Sequence, residues 1–414
     1  MDSRLIALAI PVFFLLIAVE AVVSRVQKVR RYRLHDTLAS LGCGIGEQVI
    51  VAFTATLAFV GYLFLEKHAA LLHIGTGSVV AWVLVFVVVD HQFYWFHRAS
   101  HRVNFMWAGH AVHHQSEDYN LSTALRQSWI ENLLAWPFYL PMAIVGFPFA
   151  MFATASTLNT LYQFWVHTRL IGKLGPAEGV LNTPSSHRVH HGVDPKYVDK
   201  NYGGMFMVWD RLYGTYTAEE EEPIYGTVKP LRSWSPLWAQ IDGWVRLWTM
   251  ARATSRFGDK VRVWVAPPDW RPADLGGQVI IPEVDRGAYR KYDSEASSAV
   301  DRYVVSQFLF VAAGTSAIMW FSRAMSAPLL AVSSGWVLVA VVGWGGLFEG
   351  RRWAVPLEVA RHAAGLGIAF TLQRLGTPPP IVGAMVVATV VSLLFLATSA
   401  AARPVPSAQS RSTL

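Results

Sequence analysis

VVAWVLVFVVVDHQFYWFHRASHRVNFMWAGHAVHH is the stretch from residue 79 to residue 114 that decides the fold of this chain. Residues 79–96 are almost entirely apolar, and such a run is close to the roughly 20 residues that a helix needs to cross a bilayer. The residues that follow are rich in histidine, and imidazole is a good ligand for iron, zinc and copper. The stretch therefore predicts a membrane helix that ends in a metal site at the membrane edge.

The rest of the chain has the composition of a membrane protein. Of its 414 residues, 53% are hydrophobic and 15% are charged, whereas soluble domains carry about 25% charged residues. Nine apolar stretches are candidate spans, and they cover 4–23, 44–65, 79–96, 130–148, 150–167, 303–323, 327–348, 355–372 and 380–400. We expect an all-α, polytopic membrane helical bundle with a cytoplasmic helical di-metal domain.

Basic residues beside the first span predict its orientation. Residues 4–23 could be mistaken for a secretory signal, but a basic cluster follows at once, as expected of a retained anchor. That cluster comprises Arg25, Lys28, Arg30, Arg31 and Arg33. With it in the cytoplasm, alternation of the spans puts residues 97–129 on the same side, together with Arg361 and His362. The positive-inside rule also explains the net charge of +7 better than nucleic-acid binding does.

Histidines are concentrated in two windows of the sequence. Of the 14 histidines, nine lie between residues 97 and 114 or between 167 and 191. They are His97, His101, His110, His113, His114, His167, His187, His190 and His191. Within HRASH, HAVHH and HRVHH the spacing of three or four residues puts the imidazoles of each motif on one helix face. A single metal ion rarely takes more than four imidazoles, so these nine predict two metal ions.

An all-imidazole site favours oxygen chemistry over hydrolysis. The only cysteine is Cys43, which excludes a thiolate cluster, and zinc hydrolases usually combine fewer histidines with a carboxylate base. His91 is left out of the metal set because it lies about 240° around the helix from His97. His35, His68, His73 and His362 are interpreted as ordinary loop or flank residues. Candidates to orient the imidazoles are Asp90, Glu117, Asp118, Asn120, Asp194 and Asp210.

The order of these motifs matches a known family. HRASH, HAVHH, a hydrophobic hairpin and HRVHH follow one another, and NYGG, WD and GT elements come next. These last elements are Asn201–Gly204, Trp209–Asp210 and Gly214–Thr215. The sequence resembles the fatty acid hydroxylase and sterol desaturase superfamily of membrane di-iron enzymes. Within it, residues 94–128, 163–168 and 181–215 resemble the alkylglycerol monooxygenases.

The resemblance implies that the nine histidines bind two iron ions and that the chain is a monooxygenase. Many superfamily hydroxylases have a further histidine four residues before the position of His167, where this chain has Gln163, so Gln163 is a further candidate ligand. The implied reaction is O2-dependent oxidation of an ether lipid beside the ether oxygen, which releases a fatty aldehyde and a glycerol derivative. The implied electron donor is tetrahydrobiopterin, with a ferredoxin-type protein as the alternative.

Five parts are expected along the chain. Residues 1–78 hold N-terminal membrane spans, and residues 79–225 hold a di-iron domain of the fatty acid hydroxylase type with a membrane hairpin. Residues 226–300 form a cytoplasmic extension, residues 301–402 hold C-terminal membrane spans, and residues 403–414 form a disordered tail. Breaks in the hairpin are predicted from its proline and glycine residues, which are Pro137, Pro141, Gly146 and Pro148.

Two other functions stay open on the sequence alone. A lipid or sterol C–H hydroxylase or desaturase would keep the metals and take electrons from an electron-transfer protein. A metal transporter would need histidines and acids inside the spans, whereas these clusters lie at span ends. The expected partners are a membrane lipid, O2 and an electron donor, and no nucleic acid is expected.

Overall fold

The computed structural model describes residues 3–294 and 296–401, apart from the side chains of residues 3–7, 55–58 and 399–401. The described residues form α-helices, short 3-10 turns and three isolated β-bridges, without a strand. The predicted all-α class is confirmed. The predicted tail, residues 403–414, lies outside the described residues.

The chain divides into two compact units. The first comprises Met1–Leu231 and Ala239–Lys291, and the second comprises Arg232–Trp238 and Tyr292–Leu414. The helices that begin before residue 291 are α1 (Ser3–Val26), α2 (Leu34–Ala69), α3 (Val79–Arg102), α4 (Asn104–His114), α5 (Glu131–Val145), α6 (Phe149–Trp165), α7 (Pro184–His190), α8 (Val208–Leu212), α9 (Pro236–Ala253) and α10 (Phe257–Val265). The helices that follow are α11 (Ser298–Phe321), α12 (Ala327–Phe348), α13 (Ala354–Arg374) and α14 (Pro379–Ala401).

Six helices in the described ranges are long and apolar enough to cross a membrane, so the chain is an integral membrane protein. The segments are Leu8–Val26, Leu34–Thr54, Val79–Arg102, Ser298–Ala324, Ala327–Phe348 and Pro379–Thr398. The other three predicted spans coincide with helices that do not meet this standard. α5 and α6 are short, with 15 and 17 residues, and α13 carries Glu358 and Arg361.

The predicted hairpin is built from α5 and α6. Two of its four predicted breaks are confirmed, since Gly146 ends α5 and Pro148 precedes α6. Pro137 and Pro141 lie inside α5 instead of breaking it. Each proline removes only its own N–H from the helix, and helices in apolar surroundings tolerate this where neighbouring helices support them. α5 ends at Gly146, whose φ of +106° is left-handed. A Cβ at this position would lie 1.9 Å from Leu72 O, so the turn requires glycine.

In the second unit, the predicted positions of Arg361 and His362 at the membrane surface are wrong. The sequence places both beside a span at the cytoplasmic surface, but each is buried within the C-terminal helices with 2% of its surface exposed. Glu358 and Arg361 are three residues apart on α13 and form an ion pair at 2.7 Å. Pairing within one helix makes burial of both charges possible, and a count of basic residues cannot detect it.

Helices of the first unit form a rigid support for α3. Buried Tyr62, Val85, Met142 and Met151, from α2, α3, α5 and α6, belong to one apolar core. Tyr62 also donates its hydroxyl to Phe147 O at 2.8 Å, in the turn of the hairpin. The half of α3 that precedes its histidines is therefore packed against α2, α5 and α6.

Candidate metal centre

The nine predicted histidines gather into two buried groups. The first group consists of His97, His101, His110, His114 and His190. The second group consists of His113, His167, His187 and His191. Within each group the candidate ligand nitrogens all lie within 4.8 Å of one another. His91 belongs to neither group, as expected.

Four short pieces of chain deliver these imidazoles. HRASH occupies the last turns of α3, HAVHH ends α4, and His167 follows the end of α6. HRVHH lies on α7 and on the residue after it. The N-terminus of α7 is stabilised by a cap, because the Thr183 side chain accepts a hydrogen bond from Ser186 N at 3.2 Å. Pro184 also occupies the first helical position, where proline is favoured.

The two HxxHH motifs each contribute to both groups. His110 and His114 join the first group while His113 joins the second, and in the same way His190 is separated from His187 and His191. Positions three and four residues along a helix differ by about 100° in direction, so the two can point at neighbouring ions. The expectation that the imidazoles of each motif share one helix face is wrong, because the middle histidine of each motif belongs to the other group.

Backbone carbonyl groups fix the tautomer of four of the rings. The Nδ1 donors and their acceptors are His97 to Tyr202 O at 2.8 Å, His113 to Arg126 O at 3.0 Å, His167 to Gln163 O at 2.7 Å and His190 to Lys200 O at 3.0 Å. A carbonyl oxygen can only accept, so Nδ1 carries the proton in these rings and Nε2 presents a bare lone pair. This is the usual arrangement of a metal-binding histidine.

The inward-facing nitrogens fit a metal ion. Nε2 of His113 and Nε2 of His167 are 3.2 Å apart, and both are unprotonated, so no hydrogen lies between them. Two ligands at right angles around an ion with metal–nitrogen bonds of about 2.1 Å are about 3 Å apart. Among the described residues, Nε2 of His101 and Nε2 of His190 have no hydrogen-bond partner. A cation therefore completes contacts that the protein alone leaves repulsive or unmade.

Burial keeps the imidazoles neutral. It lowers the pKa of His113 to about 4 and the pKa of His190 to about 3. Burial, followed by the neighbouring histidines, also holds the pKa of His114 and His191 well below the usual range. Neutral imidazole is the form that binds metal, so the cluster is ready to bind at physiological pH.

Two carboxylates that the sequence analysis missed accompany the first group. Glu131 Oε1 lies 2.7 Å from His110 Nδ1, and Asp199 Oδ1 lies 3.6 Å from His101 Nδ1. A carboxylate partner makes an imidazole a stronger donor to a metal. The sequence contains one signal for Glu131, which is its isolation: it is the only acidic residue between Asp118 and Glu178.

Asp90 and Asp210 act on the loop that contains NYGG instead of on a ring. Asp90 accepts hydrogen bonds from Met205 N at 2.6 Å and from Trp209 Nε1 at 2.8 Å. Asp210 accepts from Tyr202 N at 2.8 Å and from Gly203 N at 2.8 Å. The Tyr202 carbonyl in this loop accepts from His97. The two acids therefore orient the His97 imidazole indirectly, by fixing the backbone that holds it. Other predicted orienting residues have different partners, as in the pairing of Asp118 with Arg33 at 3.0 Å.

Gln163 contributes its backbone to the second group. Its carbonyl accepts from His167, whereas its side-chain amide donates to Asn159 Oδ1 at 2.7 Å. A role for the side chain as a metal ligand stays a prediction. His91 Nε2 lies 3.0 Å from the hydroxyl of Tyr213, away from both groups.

A buried network ties the first membrane helix to the second group. Glu20, on α1, accepts hydrogen bonds from Leu121 N at 2.8 Å and from the Thr168 hydroxyl. The Thr168 carbonyl accepts from Arg188 Nη1 at 2.9 Å, and Arg188 pairs through two nitrogens with Glu219, each at 2.7 Å. Thr168 follows His167 and Arg188 follows His187, so the network fixes the backbone beside two candidate ligands.

The described helices and the two histidine groups define a membrane protein with a candidate metal centre. The fatty acid hydroxylase family model matches residues 82–215, which makes the class that of the oxygen-dependent oxidoreductases. The chain belongs to the alkylglycerol monooxygenase family. It is 37% identical to the human alkylglycerol monooxygenase over 90% of this chain and 83% of that protein, and 37% identical to the one from Xenopus tropicalis over 84% and 78%. It is also 25% identical to an ornithine lipid hydroxylase from Rhizobium tropici over 44% and 55%. No solved structure matches the chain.

Proposed function

We propose that this chain is a di-iron monooxygenase that cleaves the ether bond of alkylglycerols. The names of its relatives support the substrate, and the histidine cluster supports the metal. The observation that carries the proposal is the contact between His113 Nε2 and His167 Nε2 at 3.2 Å, in which two lone pairs face each other. A bound cation makes this buried contact between two lone pairs favourable.

The nine histidines are the proposed ligands, five for one iron ion and four for the other. Iron fits the donor set because imidazole without thiolate suits a metal that reacts with O2. When bound, the iron pair supplies the activation of O2 that inserts one oxygen atom into a lipid C–H bond.

The protein's own groups prepare this reaction. The carbonyl groups of Tyr202, Arg126, Gln163 and Lys200 hold each Nδ1 proton and so direct each Nε2 inward. Burial excludes water from the centre, which protects a strong oxidant from side reactions. Glu131 adds negative charge beside His110 and thereby favours the more oxidised metal.

The chemical balance of the proposed reaction requires an external reductant. One oxygen atom of O2 is inserted into a C–H bond of the carbon beside the ether oxygen and forms a hydroxyl group. The other oxygen atom is reduced to water by two electrons and two protons from the donor. The resulting hemiacetal then breaks its C–O bond and gives a fatty aldehyde and glycerol. We propose tetrahydrobiopterin as the donor, with a ferredoxin-type protein as the alternative.

The proposed arrangement in the membrane follows the basic residues near the spans. The metal centre faces the cytoplasm, within a di-iron domain at residues 79–225. The lipid chain lies among the apolar spans, and its ether group reaches the imidazoles at the membrane edge. Residues 1–78 and 301–402 supply the N-terminal and C-terminal membrane spans.

The test uses the full chain, purified without oxygen and reconstituted with iron. It is incubated with an alkylglycerol, O2 and either tetrahydrobiopterin or reduced ferredoxin, and aldehyde release is measured beside a sterol as control substrate. We expect aldehyde from the alkylglycerol with the pterin and about two iron ions per chain. Aldehyde release only with ferredoxin would refute the pterin, and protein without iron or activity would refute the di-iron function.

A further inference from the structure

α9 and α10 each expose a row of apolar side chains, which we call the outer rows. They are Ile241, Val245 and Trp248 on α9, and Phe257, Val261 and Val265 on α10. Their exposed fractions run from 40% to 80%. Spacing of three or four residues aligns each row along one helix face. An aligned apolar face of this kind indicates a contact surface, in contrast to single exposed apolar residues.

The opposite faces of the same helices already have a partner. Leu247 and Ala251 of α9 and Val263 of α10 form one core with Ala108 of α4. α9 approaches α4 closely at Gly243, where a Cβ would lie 2.8 Å from Ala108 Cα. Both helices are therefore apolar on two sides, and protein covers the inner side.

α10 is fixed to the chain at the end of a membrane span. Asn104, the first residue of α4, donates its backbone N–H to Ala266 O and its side-chain amide to Val263 O, each at 2.9 Å. The candidate span Val79–Arg102 ends just before Asn104. α10 therefore lies near the level at which α3 leaves the apolar part of the bilayer.

Cations lie between the two outer rows. Arg252 is exposed in the last turn of α9, Arg256 is exposed in the connection to α10, and Arg262 is exposed beside the row on α10. Among the acids of this region, Asp242 is buried and Asp259 is half-buried, whereas Asp274 is exposed and accepts hydrogen bonds from Ser255 N at 2.8 Å and from the Thr254 hydroxyl at 3.0 Å. Three exposed arginines therefore face one exposed acid. Arginine can lay its stem along apolar surface while its guanidinium group reaches a phosphate. An apolar face with an arginine border fits a lipid surface better than it fits water or a basic partner.

We propose that the outer rows of α9 and α10 dock on the headgroup layer of the membrane that holds the spans, with a preference for anionic lipids. The apolar side chains enter the boundary of the acyl chains, and Arg252 and Arg256 bind lipid phosphates. α4 packs on the inner faces of both helices and carries three of the nine histidines. Docking therefore holds the metal-bearing helix at the membrane surface.

The test measures the depth of the outer rows in the full chain. Spin labels are attached to Val261→Cys and Val245→Cys in nanodiscs of phosphatidylcholine, with or without phosphatidylglycerol. O2 concentrates in the bilayer and a nickel chelate stays in water, so the ratio of the two accessibilities reports depth. Native Cys43 is buried and does not compete for the label. The matched control is Ala288→Cys, on an exposed turn of the same unit.

We expect a severalfold higher ratio of O2 to nickel accessibility at Val261→Cys and Val245→Cys than at Ala288→Cys. Phosphatidylglycerol should raise the ratio further, and the double variant Arg252→Glu/Arg256→Glu should abolish that increase. Nickel access equal to the control would place the rows in water and overturn the proposal. Low access to both reagents would show a protein cover, such as a second copy, and would overturn it as well.

Discussion

Two polar clusters are buried in this chain, and their charges are balanced in opposite ways. In the nine-histidine cluster four Nδ1 donors point outward to backbone carbonyl groups, and the Nε2 lone pairs of His113 and His167 face each other. In the C-terminal cluster Arg361 donates to Glu358 and to Gln307, and Tyr303 donates to Glu358, each at 2.7 Å. The first cluster needs a cation from outside, whereas the second contains its own. A buried polar cluster therefore indicates a metal site only when its acceptors outnumber its donors.

The largest difference between the two clusters is expected when one imidazole is removed from each. His113→Ala should lower the iron content toward one ion per chain and abolish oxidation of the alkylglycerol, because His113 lies in the four-histidine group. His362→Ala, in the C-terminal cluster, should leave the iron content unchanged. Elemental analysis and aldehyde release measure both effects.

His91→Ala is the matched control on the histidine-bearing helix α3. His91 contacts Tyr213 and lies outside both groups, so this variant should retain its iron. If His91→Ala or His362→Ala lost as much iron as His113→Ala, the division into a metal cluster and a self-balanced cluster would be wrong.

Substitutions in the C-terminal cluster should change the free energy of unfolding, whereas substitutions in the nine-histidine cluster should change the iron content. Glu358→Gln leaves Arg361 buried without its anion, and breaking a buried pair in this way costs about 3–5 kcal/mol. We expect a lower free energy of unfolding, measured with denaturant in detergent micelles, and an unchanged iron content. The double variant Glu358→Leu/Arg361→Met removes both charges and should recover most of the loss. Destabilisation as large in the double variant as in Glu358→Gln would contradict the self-balanced cluster.

The sequence was sufficient for the identity of the candidate ligands because their spacing is local. HRASH, HAVHH and HRVHH each lie within one helix or its last turn, so the pattern survives folding. Their division into two groups depends on how α3, α4 and α7 approach one another, which no local spacing contains. The same holds for partners distant in sequence, such as Tyr202, which holds His97, and Glu131, which holds His110.

For the membrane helices too, properties of the local sequence were predicted correctly and contacts with distant residues were not. Hydropathy predicts α1, α3, α11, α12 and α14 because apolar composition acts residue by residue. It also predicts a span at 355–372, but α13 does not meet the standard for a membrane-crossing helix and carries the buried pair of Glu358 and Arg361. Likewise, the local sequence predicts helix breaks at Pro137 and Pro141, because it contains no information on the neighbouring helices that support α5. The cytoplasmic orientation and the five-part division stay predictions.

Acid should affect the metal-free histidine cluster strongly. Imidazoles of the unfolded chain bind protons near pH 6.5, whereas burial lowers the pKa of His113 in the folded chain to about 4. The unfolded state therefore binds more protons as the pH falls from about 6.5 to about 4, and the free energy of unfolding should fall across this window. Denaturant titrations of metal-free protein at several pH values measure the slope.

Iron-loaded protein is the control for this pH dependence, because bound metal occupies the lone pairs that protons would take. Its free energy of unfolding should stay level to a lower pH than that of the metal-free protein. Equal slopes for the two forms would show that the pH dependence arises outside the histidine cluster.

A smaller effect should separate the two histidine groups from each other. Glu131→Gln keeps a hydrogen-bond acceptor near His110 but removes the charge, and loss of such a partner lowers metal affinity by about 10–100-fold. We expect one of the two iron ions to dissociate more readily in competition with a chelator, while the ion in the four-histidine group is retained. Glu66→Gln is the matched control, since Glu66 accepts from Phe149 N at 3.0 Å at the other helix of the hairpin. Glu131 begins one helix of the hairpin and Glu66 bonds to the other, but only Glu131 touches an imidazole. Equal loss of iron from the two variants would therefore assign the effect to the hairpin and not to the carboxylate beside His110.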